Sequence, residues 1–176
     1  MGESTRQLDH LYQEILLDHY RDPRNFGEIP DADCHSQGFN PICGDKVEVS
    51  LKFSPERKIL LDGKFKGQGC SICMASASMM MEEVNGKPLN EILDSVQCIR
   101  DVMQSKRDDS SLAGDLASLA GVKRFPVRIK CVLLPWTTLK AAIEKGCTAM
   151  MKHTLDELQA KLGPDSFITE DGEQIS

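Results

Sequence analysis

Near the start of the chain, Leu8, Leu11, Tyr12, Ile15 and Leu16, together with His19, recur every three to four positions with polar residues between them. That spacing predicts an amphipathic helix, opened by a Ser4/Gln7 capping box and stopped at Pro23. Residues 25–40 show no period; rich in Gly, Pro and Asp, they read as loop with little support for a strand. The period then changes to two. Val47, Val49, Leu51 and Phe53 alternate with Glu48, Ser50 and Lys52, Ser54-Pro55-Glu56-Arg57 makes a turn, and Ile59, Leu61 and Phe65 give a second alternation that ends at Gly67-Gln68-Gly69. Two alternating runs joined by a short turn predict an antiparallel hairpin.

The remaining pattern is helical. A helix is predicted from Ser71 until Asn85-Gly86 closes it. Pro88 opens another with the stripe Leu89, Ile92, Leu93, Val96, Ile99 and Met103. A polar stretch over residues 104–111 precedes a short helix with Leu112, Leu116 and Leu119. Pro126 opens a further helix that Pro135 should kink or restart. A last helix carries Met151, Leu155, Leu158 and Leu162, ends at Gly163-Pro164, and leaves an acidic tail expected to be mobile. Strands early and helices late predict an α+β fold, a small antiparallel β-sheet covered on one face by helices.

Composition narrows the function. In 176 residues with 40% apolar content, one domain with a real core is expected. A net charge of −6 and few aromatics argue against nucleic-acid binding. No apolar run is long enough to span a membrane, and the polar N-terminus lacks a signal-peptide core, so a cytoplasmic protein with no membrane partner is expected. Seven cysteines in a reducing compartment make a poor disulfide framework and point to metal binding or thiol chemistry.

The hairpin brings two of those thiols together. Cys43 precedes its first strand and Cys70 follows its second, so both lie at the open end; folding about Pro55 and Glu56 sets Cys43 roughly opposite Gln68. Asp45, two residues on from Cys43, would point the same way in a strand. Cys70 sits where loop becomes helix, a position that favours thiolate. Cys131 lies near another helix start beside Arg128 and Lys130, whose charges favour thiolate too. Three thiolates and one carboxylate suit tetrahedral zinc or iron, with the carboxylate the most exchangeable ligand.

Blander readings apply elsewhere. Cys98 and Cys147 read as small buried hydrophobes, Cys34 as incidental, and Met79-Met80-Met81 as core. Glu82-Glu83 reads as a solvated face, and His10 and His19 are too far apart for one helical metal site and should pack or cap. Gly44-Asp45 is also ordinary turn chemistry. Cys70 and Cys73 form C-x-x-C, which could be half of an all-cysteine zinc site or a redox pair, although the redox reading expects a βαβ setting that is absent here.

Three motifs, in order and spacing, resemble those of the U-type iron–sulfur assembly proteins: Asn40-Pro41-Ile42-Cys43-Gly44-Asp45, the run from Gly67-Gln68-Gly69-Cys70 to Ser78, and Phe125-Pro126-Val127-Arg128-Ile129-Lys130-Cys131. The resemblance runs from about Leu8 to Gly146 and is nearer the SufU branch than the IscU branch. Lys130 stands where IscU-type proteins carry histidine, and residues 104–122 look like the insertion of SufU-type chains. It implies a SufE/NifU-like fold and a U-type assembly domain over residues 1–146, followed by a helical extension over 147–162 and the tail over 163–176. It implies metal ligation by Cys43, Asp45, Cys70 and Cys131, typically of zinc, with iron or a [2Fe–2S] cluster as the alternative. It also implies Cys43 as acceptor of persulfide sulfur from a SufS-type cysteine desulfurase, with downstream iron–sulfur scaffold or acceptor proteins as further partners. Cys73 departs from the serine of many relatives.

The expected activity is therefore that of a sulfurtransferase-type carrier. Docking exchanges a ligand and frees Cys43 to attack the desulfurase persulfide, with Arg128 and Lys130 steadying the negative sulfur. The rivals are a scaffold for a labile [2Fe–2S] cluster, a purely structural zinc site, and a thiol oxidoreductase using Cys70 and Cys73.

Overall fold

The computed structural model describes residues 3–162, 167–168 and 174–175, with side chains from Gln7 to Gly146. Helix α1 spans Glu3–Arg21, and strands β1 (Cys34–Asn40), β2 (Asp45–Phe53) and β3 (Leu60–Gln68) follow. Helices α2 (Ser71–Val84) and α3 (Leu89–Met103) come next, then 3-10 segments at Asp109–Ser111 and Gly114–Arg124, and finally α4 (Pro126–Leu162). The strands form one antiparallel sheet in the order β1-β2-β3. Helices α2 and α4 pack on that sheet and on each other, and α1 packs on α2. The α+β expectation holds. Among the described residues no helix is long and apolar enough to cross a membrane.

The structure corrects several local expectations. Helix α1 begins at Glu3, so Ser4 lies inside its first turn rather than ahead of it. Residues 34–40, expected as loop, are strand β1. The strand carries no hydrophobic alternation because its inward positions are Cys34, Ser36, Gly38 and Asn40. They are small or polar because α4 crosses close by: a Cβ on Gly38 would collide with Thr138 Oγ1 and lie 3.0 Å from Leu134 Cδ1. Gly38→Ala is therefore expected to cost about 1–3 kcal/mol by overpacking. Adding Thr138→Ala should cost less than the sum of the two single changes in urea denaturation, as for any contacting pair. A Gly38→Ala variant as stable as the parent would show that strand and helix do not meet this closely.

In the hairpin, β2 buries Val47, Val49, Leu51 and Phe53 as its alternation predicts. The phase of β3 differs. Leu60 is buried while Leu61 and Ile59 are exposed, because an irregularity between Lys52 and Phe53 shifts the pairing so that Phe53 meets Leu60. Gln68 pairs with Lys46 rather than lying opposite Cys43. The open end still gathers the same residues.

Helix α2 is buried over most of its circumference, from Cys73 to Met81 and again at Val84, since α1, α4 and the sheet surround it. Its polar residues are satisfied: Ser76 Oγ donates to Val132 O (2.8 Å) and accepts from Trp136 Nε1 (3.1 Å). The stripe of α3 is buried at Ile92, Val96, Ile99 and Met103, while Leu93 stays 40% exposed. The segment around Leu116 and Leu119 is 3-10 rather than α-helix. Helix α4 runs unbroken through Pro135, so the separate last helix expected over Met151–Leu162 is its continuation. The side chain of Cys147 and most of the acidic tail lie outside the described residues; within the tail, Phe167–Ile168 pairs with Gln174–Ile175.

Candidate metal centre

Three chain junctions meet at one end of the sheet. The β1–β2 connection is the four-residue turn Pro41-Ile42-Cys43-Gly44, closed by the Asn40↔Asp45 pair and by a Gly44 N–H to Asn40 O bond of 2.8 Å. Gly44 has φ +71°, the left-handed region that glycine adopts without strain. This turn lifts Cys43 over the sheet end and starts β2 at Asp45. After β3, Cys70 is the extended N-cap of α2. Gly69 beside it is required by crowding, because a Cβ there would come within 2.7 Å of Asp45 Oδ1. Cys131 comes from the start of α4.

Three of the four side chains form one close set, and Cys70 lies beside it against Asp45. Cys43 Sγ and Cys131 Sγ are 3.3 Å apart, and with a carboxylate oxygen of Asp45 they form a set of donors all within 4.8 Å of one another. Cys70 Sγ lies 3.9 Å from Asp45 Oδ2, while the Cys70 N–H donates to Asp45 Oδ1 at 2.8 Å. Asp45 and Cys131 are fully buried; Cys43 and Cys70 are half-buried at the rim. Cys43 sits in the turn rather than in a strand, so it shares the site with Asp45 through turn geometry and not through strand alternation.

Burial pushes the Cys131 thiol well above its usual range, and the thiol and carboxyl groups of Cys43, Asp45 and Cys70 around it push the same way. Arg128 is the cation facing this cluster. Its Nη1 lies 3.6 Å from Cys43 Sγ, and the sulfurs of Cys131, Cys43 and Cys70 hold its guanidinium more firmly charged. A buried carboxylate among three thiols is costly for protein alone. A divalent cation inverts that balance by favouring every deprotonated ligand, and three sulfurs with one oxygen suit a tetrahedral zinc or iron site.

Other residues fall outside. Lys130 is exposed and has no ion pair or hydrogen bond with the cluster among the described residues. Cys73 lies beneath the site with no exposed surface, and burial, with Asp45, Cys70 and Cys43 nearby, drives its thiol strongly toward the protonated form. A thiol so held is a poor redox nucleophile. Cys34 is buried between β1 and α4, and Cys98 is half-buried with its Sγ 3.7 Å from Ser111 O. A second convergence, His19 with Glu82 and Asp115, has a simpler basis. The buried imidazole bonds Ser78 Oγ through Nδ1 (2.8 Å) and Asp115 Oδ2 through Nε2 (2.9 Å), so His19 packs as expected.

Comparison with known proteins follows the same residues. A family model described as the NifU-like N terminal domain matches residues 11–145. The chain is 42% identical over 139 residues to the zinc-dependent sulfurtransferase SufU of Bacillus subtilis, covering 78% of this chain and 92% of that protein. It is 35% identical over 152 residues to the iron–sulfur cluster assembly scaffold protein IscU of Streptococcus pyogenes, covering 86% and 92%. Among solved structures, a putative iron–sulfur cluster assembly scaffold protein for the SUF system from Fervidobacterium islandicum superposes with a TM-score of 0.69 at 34% identity, covering 74% of this chain and 94% of that one. The N-terminal part of a NifU-like protein from Brucella abortus, at 19% identity and a TM-score of 0.68, shares the fold.

Proposed function

The chain belongs to the NifU-like N-terminal domain family, and we propose that it works in iron–sulfur cluster assembly as a zinc-dependent acceptor of persulfide sulfur from a SufS-type cysteine desulfurase. The observation that carries this reading is the placing of Cys43: half-buried on a four-residue turn, at the rim of a buried donor set, with a guanidinium 3.6 Å from its sulfur. The similarity to a SufU named as a zinc-dependent sulfurtransferase supports it.

Cys43, Asp45, Cys70 and Cys131 would hold the zinc, whose positive charge would favour the three thiols as thiolates. Cys43 stands on a turn whose Pro41, Ile42 and Gly44 are exposed, whereas Cys131 lies within α4 and Asp45 within β2. Once released, the Cys43 thiolate attacks the outer sulfur of the desulfurase persulfide. The S–S bond there breaks, the desulfurase cysteine leaves as thiolate, and Cys43 becomes the persulfide with no external oxidant or reductant. Arg128 steadies the negative charge on the transferred sulfur. Lys130, exposed next to Cys131, adds to the positive field at the approach. Ile42 and Val127, 58% and 62% exposed, adjoin Cys43 and Arg128 in sequence and would offer a protein partner apolar surface beside the site. Transfer onward to a downstream scaffold or acceptor protein completes the carrier role. A site of three free thiols suits the reducing cytoplasm.

X-ray absorption at the zinc edge, on protein purified without added metal, is expected to give one zinc per chain with three sulfur ligands and one oxygen. A four-sulfur shell would bring in Cys73 and remove Asp45. The second reading, a scaffold for a labile [2Fe–2S] cluster, draws on the likeness to IscU proteins named as scaffolds. It would show instead as a visible iron–sulfur chromophore and unchanged desulfurase turnover.

A further inference from the structure

Asn40 ends strand β1 and is 5% exposed. Its side-chain oxygen accepts from the Ile42 N–H at 3.2 Å, the bond of an Asx turn. Because the oxygen is committed there, the amide nitrogen must face the other way. It lies 3.5 Å from Asp45 Oδ2 and 3.7 Å from Cys131 Sγ. One neutral side chain thus ties the turn carrying Cys43 to a carboxylate on β2 and a thiol on α4.

We propose that Asn40 is a positioning residue of the metal centre: its amide N–H groups hold the outer oxygen of Asp45 and the sulfur of Cys131, while its carbonyl sets the turn that presents Cys43. This rests on the zinc reading of the same four residues. Each oxygen of Asp45 then already accepts one hydrogen bond, Oδ1 from the Cys70 N–H and Oδ2 from Asn40, which would make the carboxylate a weaker donor to a metal. A hydrogen bond to the Cys131 sulfur likewise draws electron density from that ligand. The neutral amide suits this place because a cation would compete with the metal and an apolar residue would leave the Ile42 N–H without its side-chain partner.

The test loads the whole chain with Co²⁺ and compares it with Asn40→Asp and Asn40→Ala. Asn40→Asp keeps the oxygen that accepts from Ile42 and replaces the donor by a negative oxygen; Asn40→Ala removes both. Two readouts are taken: zinc affinity against a chromophoric chelator, and the thiolate-to-cobalt charge-transfer band. Asn40→Ala is expected to bind zinc about 10- to 100-fold more weakly, as is usual when a residue that supports metal ligands is lost, whereas Asn40→Asp adds a negative charge that itself favours a cation and is read by its spectrum alone. Both should also move the charge-transfer band to longer wavelength, because a sulfur without its hydrogen bond gives up electrons more easily. A residue that only supports the fold would leave the band in place. A parent protein with a normal band and variants matching it in affinity and spectrum would overturn the role of Asn40 alone. A parent protein with no thiolate-to-cobalt band would overturn the metal centre and this inference with it.

Discussion

Cys43→Ser is expected to abolish persulfide formation on this protein and its acceleration of a SufS-type desulfurase, while leaving part of the metal bound. The sulfur-accepting group must be able to leave the donor set and meet another protein. Cys131 has no exposed surface and is held by α4. Cys70 is locked at the N-cap of α2 through its own N–H bond to Asp45. Cys43 alone of the three stands on a turn, within reach of Arg128. The measurement mixes the protein with its desulfurase, cysteine and pyridoxal phosphate, and maps the added sulfur by mass spectrometry. Serine at position 43 cannot carry sulfur, so the signal should fall to background. Cys70, Asp45 and Cys131 remain to hold metal more weakly. Sulfur found on Cys73, or undiminished acceleration by Cys43→Ser, would overturn the assignment. Asp45→Ala provides the contrast: it keeps the accepting thiol but should lose metal more readily.

How much of this was readable without a structure depends on where each pattern was written. Strand β2 announces itself because four of its five inward residues, Val47, Val49, Leu51 and Phe53, are apolar, Asp45 being the exception. Its partner β3 could be placed but not phased, since the choice between Leu60 and Leu61 is made by a pairing irregularity opposite them. Strand β1 is silent because α4 lies so close that only small or polar residues fit beneath it. The site was legible in its main residues because a hairpin must bring its two open-end segments together, whatever the register. Arg128 and Lys130 looked equivalent beside Cys131. On a helix they are not: residues three apart share a face and adjacent ones do not, so Arg128 reaches the sulfurs and Lys130 faces outward. Asn40 could be read only as part of a motif, because its contacts exist only once β1 is a strand.

Removing the metal is expected to lower the melting temperature sharply. A ligand that binds only the folded state stabilises it by about 4 kcal/mol when its free concentration is roughly a thousand times its Kd. In a chain of this size that corresponds to roughly 8–16 °C in Tm. The structure says why the loss should be felt globally. The proposed ligands come from the β1–β2 turn, the start of β2, the N-cap of α2 and the start of α4, so the ion ties the sheet to both helices that cover it. Without it, a fully buried carboxylate has amide and thiol donors but no ion pair among the described residues, and the junctions lose their common centre. Calorimetry before and after chelation, with zinc then restored, measures the effect. Cys98→Ser is the control, since Cys98 is half-buried on α3 with its sulfur toward Ser111 O; it should leave both the Tm and the size of the zinc-dependent shift nearly unchanged. An equal melting curve with and without chelator would mean that the donor set does not couple metal to folding. A Cys98→Ser variant that lost the shift would move the centre away from the end of the sheet.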